Sequence, residues 1–551
     1  MLLTVALGGF LVVGCSEGTG PGDPPVLECT DTSAEILAVG EHRILDPTQD
    51  DACVRLPEAG SAGAEHLYVP VATEGAETND GSSAPFSLTG AAVTATPVAL
   101  RSPLLAAFRP PLATAGFHTM LRARERSLSE SPSVALFNRG RAAQRAAVPP
   151  AVGDPRSFDV CTTRECTTFT QVPATARAVR ERVAIFVDDA APAGGYTLAD
   201  LDDVATLFDD FLYPIDTVAF GRESDIDANT VVIVLLTQRV NALSPNCNTT
   251  GSVILGYFFG ADLLPRSSSN PGSNEAEVFY GLVPDPGNSE CSISLPFARS
   301  RLAVTFIHEF QHMISFNQHA LVRGGRSEDT WLNEGLSHFA EELGGRLIPD
   351  LECLDTGSCQ QDFWNGNLEN AFEYLGSVED HFLIEPGNSS GELAERGANW
   401  LFVRWLVDHF AGDSVLGTDF TRALVATNRL GEANLSALTG ATFSTIVPEW
   451  QMANYLDDLP GFSQPSSRLR YKTWNFRDPV QTLGHTYPLL PDITDGVDYL
   501  HDGVLREGSG RHVLVTQAGG GAAVDLRLTG PSASEPVSGS ADPRIGLVRV
   551  R

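Results

Sequence analysis

Hydrophobic and polar positions change period along this chain, and each change marks a new region. Between residues 34 and 105, short β-type runs (Glu35-Ile-Leu-Ala-Val, His66-Leu-Tyr-Val-Pro-Val, Ala92-Val-Thr-Ala-Thr) alternate with Gly, Ser and Asp turns. That pattern predicts a small β-domain of sandwich type. Strand-like runs recur later as Val183-Ala-Ile-Phe-Val, Thr230-Val-Val-Ile-Val-Leu-Leu-Thr, Gly256-Tyr-Phe-Phe and Glu277-Val-Phe-Tyr-Gly-Leu-Val. Residues 197–212 switch to helical spacing, with Leu198, Leu201, Val204, Leu207 and Phe211 on one face. Helical period dominates from about residue 300. Phe306, Phe310, Met313 and Ile314 form an apolar stripe, and further helices are predicted over 331–342, 368–375 and 399–410. Beyond about residue 460 the β pattern returns, through Arg511-His-Val-Leu-Val-Thr and Arg544-Ile-Gly-Leu-Val-Arg-Val-Arg. No repeat of fixed period is apparent.

These shifts predict an α+β protein with a mixed central domain over 154–460, the small β-domain at 34–105 and a C-terminal β-domain at 461–551. Residues 106–153 form an Arg-rich stretch between them. Residues 101–150 carry Arg101, Arg109, Arg122, Arg124, Arg126, Arg139, Arg141 and Arg145 against only Glu125 and Glu130. Within it 118–128 reads as helix. A solvated linker is the preferred reading, and a propeptide-like segment lying against an acidic enzyme is the alternative.

The chain has 551 residues and a net charge of -32, which speaks against nucleic acid as partner, since phosphate binding needs a basic face. Residues 1–14 resemble an export signal: the apolar run 2–13 is too short for a stable span and ends in Val12-Val13-Gly14-Cys15, which resembles a bacterial lipobox. Lipidation is thus expected at Cys15, with a flexible tether over 15–33 and a membrane partner through that anchor. No Lys or Arg precedes the apolar run, a departure from the usual signal. Eight further cysteines remain: Cys29, Cys53, Cys161, Cys166, Cys247, Cys291, Cys353 and Cys359. An even number in an exported chain favours disulfides, with sequential pairing the simplest arrangement.

The chemistry gathers on Thr305-Phe-Ile-His-Glu-Phe-Gln-His-Met-Ile-Ser315, which contains His308-Glu309-x-x-His312. Residues four apart share a helix face, so both imidazoles can reach one metal ion, while Glu309 is placed to act on a water at that ion. A catalytic zinc takes three protein ligands and keeps one position open. Glu334, in Trp331-Leu-Asn-Glu-Gly-Leu-Ser-His-Phe-Ala-Glu, is the strongest third ligand, and His338 one turn on is its rival or a supporting residue. His319 shares the face of the pair but lies roughly 10 Å further along a regular helix. Asp225-x-Asp227-x-Asn229 opens like a calcium loop but lacks the later Gly and Glu, so a turn ahead of a strand is expected.

His308-Glu-Phe-Gln-His-Met-Ile and Thr330-Trp-Leu-Asn-Glu-Gly-Leu-Ser-His-Phe-Ala-Glu resemble the hyicolysin family of bacterial zinc metallopeptidases, within the gluzincins. Arg222-Glu-Ser-Asp-Ile-Asp-Ala-Asn and Gly397-Ala-Asn-Trp-Leu-Phe-Val-Arg-Trp-Leu add to the likeness, which covers roughly 155–460. The resemblance implies a thermolysin-like catalytic domain, with a sheet subdomain and a helical one on either side of the cleft. It implies one zinc held by His308, His312 and Glu334, Glu309 as general acid and base, and a peptide or protein substrate. Where the family places a Tyr before the Gly-Ala of the late helix, this chain has Arg396; Arg396, Tyr374 or His381 would then steady the oxyanion. His338 stands where the family has an Asp. The expected activity is an exported zinc endopeptidase at the bacterial outer membrane or cell surface, or released from it. The other class is a non-catalytic surface lipoprotein with a structural metal site and partner-binding β-domains.

Overall fold

The computed structural model describes residues 29, 33–48, 52–77, 83–93, 115–130, 148–354, 356–388, 391–462 and 466–551. The expected signal, Cys15, nearly all of the tether and much of the Arg-rich stretch lie outside these residues.

Four strands come first: β1 (His42–Leu45), β2 (Cys53–Leu56), β3 (Ala64–Val71) and β4 (Ser83–Ala92). Six follow in the middle: β5 (Pro155–Cys161), β6 (Phe169–Val179), β7 (Val183–Asp188), β8 (Val232–Leu236), β9 (Gly256–Phe258) and β10 (Val278–Gly281). The last are β11 (Asp492–Thr494), β12 (Tyr499–Arg506), β13 (Val513–Gln517), β14 (Val524–Thr529) and β15 (Arg544–Arg549). The helices that matter for the site are α1 (Ala115–Ser129), α2 (Leu198–Leu207), α3 (Leu295–Phe316), α4 (Thr330–Leu347), α5 (Cys359–Gly376), α6 (Leu393–Phe410) and α7 (Phe443–Leu456).

The middle strands form one mixed sheet in the order β5-β6-β7-β8-β10-β9. Its centre, β8, reads Val-Ile-Val-Leu-Leu, is buried throughout and has parallel neighbours on both sides. A continuous apolar run is what a strand covered on both faces requires. β9 is one of its two edge strands, paired among the described residues with β10 alone. Helix α3 lies against this sheet: Phe306 stacks on Phe279 at 5.0 Å and on Phe208 at 4.1 Å. Burying each such ring contributes about 1.5–3 kcal/mol. Phe306, Phe310, Met313 and Ile314 are all fully buried, and so is the opposite, polar face of the same helix from His308 to His312.

Helices α4, α5 and α6 pack together beside α3 in close contact. A Cβ at Gly335 would sit 2.8 Å from the Asn399 carbonyl oxygen, so the glycine after Glu334 is what lets α6 approach α4. Gly397 plays the same part for α6 against α5, where a Cβ would lie 2.3 Å from Asn370.

The sequence pattern predicts a separate β-domain at each end, and here the structure differs. Strands from both ends interleave in one sandwich, a five-stranded sheet β1-β15-β3-β13-β11 facing a four-stranded sheet β12-β4-β14-β2. β3 lies between β15 and β13, and β4 between β12 and β14. Neither half alone pairs the edges it exposes, and the joint core of Leu56, Tyr68, Phe86, Val515, Leu526 and Leu547 needs both. Periodicity reports strands but not their partners. The stretch before β11 belongs to the helices instead: Trp474 stacks on Phe476 and packs against Trp364 and Trp400. Glu35-Ile-Leu-Ala-Val forms no strand beyond a bridge at Ala34, and Ile36 is exposed. The cysteines are joined Cys29–Cys53, Cys161–Cys166, Cys247–Cys291 and Cys353–Cys359. Among the described residues no helix is long and apolar enough to cross a membrane.

Candidate metal centre

Helix α3 starts at Ser294, whose side chain accepts from the Phe297 amide, and it stays regular through Phe316. That regularity stacks His308 and His312 one turn apart, their ring centroids 4.9 Å from each other. Helix α4 brings Glu334 to the pair. Its Oε2 lies 3.5 Å from His308 Nε2 and its Oε1 3.7 Å from His312 Nε2, so the carboxylate straddles both rings. His338 is there too: the donor atoms of His308, Glu334 and His338 lie within 4.8 Å of one another. The structure thus gathers both third-ligand candidates of the sequence around His308.

A second layer orients these groups. Glu341, two turns beyond Glu334, meets His308 Nδ1 at 2.7 Å and His338 Nδ1 at 3.1 Å. That contact leaves His308 Nε2 turned toward Glu334. Ser337 Oγ lies 3.2 Å from His312 Nδ1 and donates to Gln311 Oε1 at 2.6 Å. Glu341 carried no role in the sequence reading, although its spacing from Glu334 puts both on one face of α4.

Burial and charge set the electrostatics. Burial opposes a charged His308, but the Glu334 and Glu341 carboxylates outweigh it and raise the imidazole to about 10. Burial, with Arg122 adding to it, drives His312 well below the usual range. Against its burial, Glu334 is held well below the carboxylate range by Arg396, His312 and His308. Glu309 is raised by burial, with His308 and Arg122 pulling the other way.

Whether a metal fits can be judged from unmet donors. Both oxygens of the fully buried Glu334, and His312 Nε2, have no hydrogen-bond partner among the described residues. Such groups are rare in a folded interior and call for a counter-charge. Ligand atoms around a tetrahedral zinc stand about 3.3–3.6 Å apart, given bonds of about 2.0–2.2 Å. The contacts of Glu334 match that spacing closely. Imidazole and carboxylate without thiolate is also a donor set zinc accepts. The residues fit a divalent ion.

A cavity of about 230 Å³ opens over this cluster, lined by His308, Glu309, His338, Glu341, Arg396 and, unexpectedly, His118. Glu309 Oε2 accepts from the Phe258 amide on β9 at 2.9 Å. Arg396 Nη1 lies 4.0 Å from Glu334 Oε2. Tyr374 is elsewhere: its hydroxyl accepts from Gln451 Nε2 at 2.8 Å and lies 3.1 Å from Ser509 Oγ, with its ring stacked on Trp450. His381 is bound to Glu395 and Ser377. His319 faces Glu328 at 3.6 Å, beyond reach of the cluster. Of the three oxyanion candidates only Arg396 lines the cavity. Asp225 and Asn229 serve a turn ahead of β8, accepting from the amides of Thr230 and Val231.

No family model matches the chain. Over 205 residues it is 32% identical to the neutral metalloprotease ShpI of Staphylococcus hyicus, a match covering 36% of this chain and 40% of that protein. The chain therefore spans less than half the length of the curated relative it matches. The likeness is to a metallopeptidase, in agreement with the His and Glu cluster.

Proposed function

We propose that this chain is a zinc-dependent endopeptidase of gluzincin type, thermolysin-like in arrangement, with His308, His312 and Glu334 holding the ion. The observation that carries this reading is Glu334, fully buried, without a hydrogen-bond partner among the described residues and facing two imidazoles. Zinc, when bound, supplies a Lewis acid that polarises the scissile carbonyl and acidifies water. Glu309 takes the proton from the attacking water and passes it to the leaving amine. Its burial favours that role, because a carboxyl raised above its usual range holds and releases a proton nearer neutral pH. Arg396 donates to the carbonyl oxygen as negative charge develops there. Glu341 keeps His308 oriented, and His338 supports the same carboxylate or completes the ligand set.

The substrate track follows from β9. Phe258 turns its N–H and C=O away from β10, the N–H reaching Glu309 and the C=O reaching Arg122. An extended peptide pairs with such an edge through main-chain hydrogen bonds, which places its carbonyl beside Glu309. Export to an oxidising compartment fits the four disulfides. Lipid anchoring through Cys15 completes the proposal for location. Casein hydrolysis with and without a zinc chelator, together with metal analysis, tests the reading. The expected result is one zinc per chain and chelator-sensitive cleavage; chelator-resistant cleavage, or a chain that takes up no zinc, overturns it.

A further inference from the structure

Helix α1 belongs to the Arg-rich stretch for which a linker was the preferred reading, yet it lies in the cleft. Three of its side chains take positions a substrate needs. Arg122, 4% exposed, donates from Nη2 to the Phe258 carbonyl at 3.1 Å, and the same nitrogen lies 3.8 Å from Glu309 Oε2. Glu125, 1% exposed, accepts from the Gly260 amide at 2.8 Å and pairs with Arg122 Nη1 at 2.9 Å. His118 lines the cavity with His308, Glu309 and Arg396. Phe258 presents the outward main-chain groups of β9 and Gly260 opens the 3-10 turn just past it, so at Phe258 α1 satisfies with a side chain what an extended peptide would satisfy with its backbone.

The helix is anchored as well as inserted. Phe117 meets Tyr257 edge to face at 5.1 Å. Arg126 pairs with Glu77 at 2.7 Å and with Asp329 at 3.2 Å, and Glu77 in turn accepts from the Thr330 amide that opens α4. These contacts tie α1 to the sandwich and to the helix carrying Glu334. A purely structural helix has no reason to spend a buried guanidinium on Glu309 and on the free edge of β9.

We propose that α1 is a built-in inhibitor that occupies the peptide track beside the metal cluster, with Arg122 capping the β9 edge, Glu125 holding the turn just past it and His118 lining the cavity. The proposal rests on the peptidase reading given above. While α1 is docked, Glu309 is shared with Arg122 and no extended peptide can pair with β9. Activity then requires that α1 leave, by displacement or by proteolysis of the chain around it.

The test uses the zinc-loaded full chain and two variants, His118→Ala and Arg122→Gln, each checked for zinc content and thermal midpoint. The readouts are casein cleavage and, independently of turnover, affinity for a peptide hydroxamate that chelates zinc and pairs with the β9 edge. Both variants are expected to bind the hydroxamate at least about tenfold more tightly than the parent, and to cleave casein faster by a similar factor. Parent and His118→Ala chains with equal hydroxamate affinity would overturn the proposal, even if Arg122→Gln failed to fold. Tighter hydroxamate binding with no cleavage by any chain would leave α1 as the occupant of the cleft and overturn the peptidase reading instead.

Discussion

Helix α4 carries two fully buried glutamates, Glu334 and Glu342, about two turns apart, and their surroundings are opposite. Both carboxylate oxygens of Glu342 are engaged. Its Oε1 accepts from Arg346 at 2.6 Å, Trp474 at 3.0 Å and Arg404 at 3.1 Å, and its Oε2 accepts from Trp400 at 3.0 Å. Glu334 has no hydrogen-bond partner among the described residues, and its nearest cationic or imidazole nitrogens stand off at 3.5, 3.7 and 4.0 Å. Both carboxyls are held below their usual range against burial, Glu342 by Arg404 and Arg346, Glu334 by Arg396 and the two histidines. A shifted carboxyl alone therefore does not tell a structural charge from a functional one. Whether donors close to hydrogen-bond distance, or halt at the spacing of metal ligands, does.

The largest expected effect belongs to the functional side of this comparison. Glu309→Gln removes the proposed proton carrier while keeping its shape, so cleavage by the activated chain should fall by about 10²–10⁴. Zinc content and thermal midpoint should not change. A fall in zinc content would mean that Glu309 helps to hold the ion. On the structural side, Glu342→Ala takes one of two carboxylates from the buried Arg404, with Asp408 remaining at 3.0 Å, and leaves the Trp400 and Trp474 indole N–H groups without their acceptor, at a cost of about 1–3 kcal/mol for each unmet donor. Urea denaturation reads that loss. The folded fraction of this variant should still gain stability from zinc, because the ion binds elsewhere. A variant that had lost its response to zinc would merge the two clusters into one.

How much of this was legible beforehand follows the same division. His308, Glu309 and His312 could be read because a helix turns spacing into geometry, and Glu334 because a carboxylate was wanted on the next helix. Glu341 was missed because its contact with His308 crosses between helices, and only its place on the Glu334 face hinted at it. Arg122 and His118 were out of reach. They meet the cluster across nearly two hundred residues of chain, and an Arg-rich stretch usually marks a solvated face. Tyr374 was offered as an oxyanion donor because nothing in the local pattern shows that α5 turns it toward Gln451 on α7. The two β-regions were recognised as β, yet their merger into one sandwich depends on pairings such as Leu547 with Tyr68, which periodicity does not encode.

Glu341 sharpens the comparison by standing between the two glutamates in kind. It is engaged, like Glu342, but its partners are the histidines of the cluster. Glu341→Gln should keep the fold and weaken zinc binding by about 10–100-fold, the range for a residue that orients a metal ligand. Competition with a chelator of known affinity measures it. An unchanged affinity would show that His308 is oriented by packing alone.

The smallest effect is the acid limb of stability. Because Arg404 and Arg346 depress Glu342 despite its burial, its folded value lies below its ordinary value of 4.5. The unfolded chain then binds the proton more readily, so Glu342 adds stability above about pH 4.5 and loses it as pH falls through the folded value. The thermal midpoint should decline on acidification over that window, and Glu342→Gln should flatten the decline. The cluster around Glu334 also titrates in acid, so the comparison is best made in a Glu334→Ala background, where the metal response is gone. If the acid limb vanished in that background alone, the protons would belong to the metal cluster, and Glu342 would be a neutral spectator in the same helix.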